Sequence, residues 1–106
     1  MLTGGGSTPS PSDLIRLYAG GSNGTVLFQG SVTLDSDEVQ IAGKTVQVDS
    51  SGTVTVPKGN THVFSDNHNY NKTGYGTISS TYLKQYNFSD PKPDFKTGGK
   101  LGRPAP

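Results

Sequence analysis

His62, Asp66 and His68 are spaced H-x3-D-x-H, a donor set that suits a borderline transition metal if the chain bends back between them. The same spacing fits two solvent-facing imidazoles in a polar segment. No metal or cofactor is therefore expected, and these three side chains are the candidates to check. Asp35, Asp37 and Glu38 crowd three carboxylates together, yet the rest of a calcium-loop pattern is missing, so a solvated turn is the simpler reading. Residues 65–76, SDNHNYNKTGYG, combine tyrosines with small polar residues, the composition of loops that bind through rigid rings. Asn69, Tyr70 and Tyr75 are its candidate ligand residues, for a glycan or a receptor.

Other chemistry is excluded more simply. The chain has no cysteine, which removes thiolate catalysis, disulfides and sulfur-ligated metals. Gly4-Gly5-Gly6 and Gly98-Gly99-Lys100 lack the spacing of a phosphate-binding loop, and no serine stands in a nucleophile elbow. No catalytic or cofactor-binding residue is expected, and the protein does not read as an enzyme.

The elements that would carry these residues are short strands. Val39 to Val56 alternates so regularly that a hairpin at Gly43-Lys44 sets Ile41 opposite Val46 and Val39 opposite Val48. A loop from Asp49 to Thr53 then sets Val48 opposite Val54. The expectation is an all-β fold, a small antiparallel meander, sandwich or barrel. Its strands fall near 14–18, 25–34, 38–42, 45–49, 53–57, 61–64 and 77–86. Gly30 interrupts the apolar row of the second and marks a bulge or close approach. V-x-[LIV] recurs at 32, 39, 46 and 54, a spacing that also fits an intertwined trimeric β-helix of the kind seen in fibre shafts.

Composition shifts at both ends. Residues 1–12 form an extended N-terminal arm of glycine, proline and serine, residues 13–88 the β body, and residues 89–106 a proline- and lysine-rich C-terminal arm. Hydrophobic residues are 29% of a 106-residue chain, few for a core that must stand alone. Charge is uneven: residues 1–66 carry six acids against three bases, and residues 67–106 six bases against two acids. No apolar leader core follows Met1-Leu2-Thr3, and no apolar run is long enough to span a membrane.

Sparse core, long arms and opposite charge at the two ends suit a structural protein that completes itself against neighbours. Copies of itself and a major capsid or other lattice protein are the expected partners, met through Leu2, Leu14, Leu17, Phe95, Lys96, Lys100, Leu101 and Arg103. Nucleic acid and membrane are not expected partners. The expected setting is a virion, as a phage capsid cement, decoration or short fibre protein. The alternatives are an extracellular filament built by strand donation and a glycan-binding module using residues 65–76.

Overall fold

The computed structural model describes residues 2–3 and 14–91. They form nine strands: β1 (Leu2–Thr3), β2 (Leu14–Tyr18), β3 (Thr25–Phe28), β4 (Ser31–Asp35), β5 (Glu38–Ala42), β6 (Thr45–Val48), β7 (Thr53–Phe64), β8 (Asn67–Asn69) and β9 (Thr77–Tyr86). Every pairing between them is parallel. The chain is a single-chain β-solenoid, not an antiparallel meander, sandwich or barrel.

The coils follow from the register. Glu38 pairs with Asn60 and Asn60 with Tyr82, a step of 22 residues, after a longer first step from Leu14 to Glu38. Each coil has three faces. The first stacks β1, β4 and the beginnings of β7 and β9. The second stacks β2, β5 and the ends of β7 and β9. The third stacks β3, β6 and β8. Strands β7 and β9 belong to two faces because each turns a corner, where the register slips between Val56 and Asn60.

Each face contributes a small unit of sequence, two inward residues flanking one outward residue. Val32-Thr33-Leu34, Val39-Gln40-Ile41, Val46-Gln47-Val48 and Val54-Thr55-Val56 are four such units in chain order, one for each of four successive faces. The seven- to eight-residue recurrence of V-x-[LIV] is therefore the length of one face, and three faces make a coil. Val39, Ile41, Val46, Val48 and Val54 are fully buried in the resulting core, where stacking aligns like with like. Inward parity is the same whether consecutive strands pair antiparallel or lie on consecutive faces, so alternation alone does not separate the two folds.

The backbone decides between them. A type II′ hairpin needs positive φ at Gly43, but among the described residues the positive-φ glycines are Gly21, Gly30, Gly59 and Gly74. Gly43 is instead a buried corner, with its N–H donating to the Phe64 carbonyl of the next coil at 3.0 Å. Ala19 and Ser65 occupy the same corner in other coils, donating to Ala42 and Tyr86 at 2.9 and 3.0 Å. Asp49 to Thr53 is likewise a corner, with Thr53 N bonded to Gly30 O at 3.0 Å. Gly59, at φ +87°, fits the β7 corner against the Ser36–Asp37 backbone, where any Cβ would collide.

Several boundaries also differ. Gly30, at φ +71°, is a corner that divides 25–34 into β3 and β4, not a bulge within one strand. The segments near 53–57 and 61–64 join as β7, and residues 65–76 contain β8. The arms, residues 1–12 and 89–106, lie almost wholly outside the described residues. Among the described residues no helix is long and apolar enough to cross a membrane.

Candidate functional surfaces

The structure does not bring His62, Asp66 and His68 together. His62 faces outward from the second face, 8% exposed, with Nδ1 2.8 Å from the Tyr86 hydroxyl. His68 stacks on inward-facing Val46 and lies at the C-terminal end of the core. Asp66 sits at the corner between them, 2.6 Å from Lys44 Nζ, and accepts the Phe88 N–H at 3.1 Å. The Lys44 hydrogen bond, then that N–H, holds its carboxyl below the usual range. Among the described residues no three His, Asp or Glu side chains gather where a metal could sit.

The proposed binding loop is also divided. Tyr70 is an interior residue, 3% exposed, following β8 below the last coil. Its hydroxyl donates to Gln85 Oε1 at 2.7 Å and lies 2.7 Å from His68 Nδ1. The His68 Nε2–H donates to the Tyr86 carbonyl at 2.9 Å. Burial pushes the Tyr70 phenol well above its ordinary range. This tyrosine thus closes the core with polar partners, while Tyr75 stays half-buried beneath Lys72, whose Nζ lies 5.5 Å from the ring centre. Asn69 points out along the third face toward Gln47, 3.5 Å away. Asn71, at φ 55°, folds the loop back by bonding the Ile78 N–H at 2.8 Å and its carbonyl at 3.2 Å.

Of the expected partner-binding residues, Leu14 is half-buried and Leu17 packs against the core. Leu2 is in β1, where the backbone pairs with Leu34. Phe95, Lys96, Lys100, Leu101 and Arg103 lie outside the described residues.

Sequence reasoning missed the outer layer of the second face. Arg16, Gln40, His62 and Lys84 form one file and Tyr18, Ala42, Phe64 and Tyr86 another, each aligned by the coil step. Arg16 Nε donates to Gln40 Oε1 at 2.7 Å, and Gln40 Nε2 donates to Glu38 Oε2. Phe64 stacks on Tyr86 with ring centres 4.2 Å apart. Gln40, Ala42 and Phe64 are almost completely buried although they point away from the core. The signal for these files was the 22-residue spacing of Phe64 and Tyr86, which becomes visible only once the coil length is known.

The other faces differ in chemistry. The third carries amides, with Asn67 Nδ2 donating to Thr45 Oγ1 at 3.0 Å. On the first face, Ser31 stacks on Thr53 and Thr77, and Thr33 on Thr55 and Ser79. No family model matches the chain, and neither the curated proteins nor the solved structures contain a significant match to it.

Proposed function

We propose that the chain is a structural, self-assembling protein, a phage virion component acting as a capsid cement, decoration or short fibre protein that clasps neighbouring subunits with its arms. The observation that carries this reading is where the solenoid leaves apolar surface. Among the described residues the exposed large hydrophobic side chains are Tyr18, Leu27 and Tyr82. The first two stand on the first described coil and the third on the last. A solenoid is a one-dimensional stack in which each interior coil is covered by its neighbours, so its ends need a cover that an adjoining subunit supplies. The acidic excess of residues 1–66 and the basic excess of residues 67–106 add attraction between one copy's arm and another's body.

Analytical ultracentrifugation tests this reading. The full chain sediments as a discrete oligomer, and removal of residues 89–106 returns it to a monomer with unchanged β circular dichroism. A full chain that remains monomeric at high concentration, with a cooperative melt, overturns it.

The same coil ends favour a filament as the second reading. Among the described residues no strand pairs with the outer edge of residues 82–86, and Leu14–Tyr18 of another copy matches it in inward and outward parity. That register sets Leu83 over Ile15 and Tyr86 over Tyr18, but also Lys84 over Arg16. Like charges directly opposed weaken a pair, so such a filament lengthens as salt rises, which distinguishes it from arm-clasped oligomers held by opposite charge.

A further inference from the structure

The first face carries a pattern independent of the assembly reading. Its outward positions in three successive coils include Ser31 and Thr33, Thr53 and Thr55, and Thr77 and Ser79, in unbroken register, with Asp35 next along β4 and ion-paired to Lys58 at 3.5 Å. The inward residue between each pair is Val32, Val54 or Ile78, packed in or against the core, so the backbone beneath the six hydroxyls is anchored. Four of the six side chains are exposed and Thr33 and Thr55 half-buried.

None of the six hydroxyls bonds a described residue, whereas those of Thr45, Thr61, Ser65 and Ser80 all do. Their hydrogen-bonding capacity is directed outward. The chemistry also narrows the ligand. Polysaccharides and protein hot spots are met by rings and arginine, nucleic acid by cations, and metal ions by carboxylates or imidazoles. The six positions offer none of these. They offer hydroxyls and methyls at two fixed repeats, about 4.8 Å between strands and about 6.6 Å between alternate residues along a strand. The first lies close to the shorter oxygen repeat of an ice prism face and the second falls somewhat short of the longer one.

We propose that this hydroxyl net is an ice-binding surface, which adsorbs ordered water through the hydroxyls while the threonine methyls seat in the gaps of the water lattice. Thr55 is its central rung. The test uses the full chain, measuring thermal hysteresis and the inhibition of ice recrystallisation, with incorporation of fluorescently labelled protein into growing ice as a third readout. The wild-type chain shows all three. Thr55→Tyr loses them, Thr55→Ser, which keeps the hydroxyl but removes the methyl, weakens them, and Thr25→Tyr, on the neighbouring face, leaves them unchanged; circular dichroism melts check that each variant is folded.

Wild-type protein indistinguishable from serum albumin in these assays overturns the proposal, as does a folded Thr55→Tyr that is as active as wild type. Retention on crystalline cellulose or chitin that Thr55→Tyr abolishes, without activity on ice, also overturns it and assigns the net to a polysaccharide.

Discussion

Phe64 and Tyr86 stack at 4.2 Å with their rings within 9° of parallel, on the outside of the solenoid and one coil apart. A second apolar contact layer therefore lies outside the core, on the second face. Phe64 is 1% exposed, so truncating it opens a cavity as a core truncation would. Phe64→Ala lowers stability by about 3–5 kcal/mol, the usual range for a buried phenylalanine. Urea unfolding followed by circular dichroism measures it, and a loss below about 1 kcal/mol would show that the site behaves as surface.

Parallel stacking makes a covalent prediction. Gln47 and Asn69 are register partners on adjacent coils, whereas Gln40 and Gln47 would be partners only in an antiparallel hairpin. Cross-strand neighbours lie within disulfide reach. The double variant Gln47→Cys with Asn69→Cys oxidises to an intramolecular disulfide, and Gln40→Cys with Gln47→Cys stays reduced while folded. Thiol titration with mass spectrometry reads both, and the reverse pattern would restore the meander.

His62 predicts a pH dependence. Its pKa is held below the ordinary histidine value, chiefly because burial disfavours the cation; Glu38 opposes this shift and Lys84 adds to it. Near that value the unfolded chain binds more protons than the folded one, so stability rises with pH. The contribution is complete above the unfolded pKa and is lost as pH falls through it toward the folded value. Urea midpoints therefore drop between pH about 7.5 and about 5.5, and His62→Gln flattens that slope.

The polar closure at the end of the core is also measurable. Tyr70→Phe removes the hydroxyl that meets both Gln85 and His68. Because those partners lie at the open end, where water can reach them, the loss is about 1 kcal/mol. Thermal melts of Tyr70→Phe and Tyr70→Ala separate this bond from the packing of the ring, whose deletion costs several times more.

The corner at Gly59 tests the turn geometry. Its φ of +87° lies in the region that favours glycine, and the Ser36–Asp37 backbone leaves no room for a Cβ. Gly59→Ala destabilises by more than about 1 kcal/mol. The same change at Gly74, which shares the positive φ but has open space around it, costs less. Equal losses would show that φ alone governs both corners.

The sequence by itself determined that the chain is built of strands, where most of them run, and which side chains turn inward. Glu38–Ala42 is legible to the residue, because alternation with period two is a local property of extended backbone; Leu14–Tyr18 reads as a strand because its apolar run is too short for a helix, and in Thr77–Tyr86 the spacing of Tyr82 and Tyr86 suits a helix as well as the strand that forms. Which strand each one pairs with was not local. Gly43-Lys44 serves equally as a hairpin turn or as a solenoid corner in the sequence, and the choice rests on a hydrogen bond to Phe64, 21 residues away. Tertiary structure also turned Tyr70 from a loop residue into a core residue and separated His62 from His68. It aligned Phe64 with Tyr86 and six scattered hydroxyls into one net. These relationships depend on a coil step of about 22 residues, set by how much chain is needed to round three corners, and no single stretch of sequence shorter than a coil contains it.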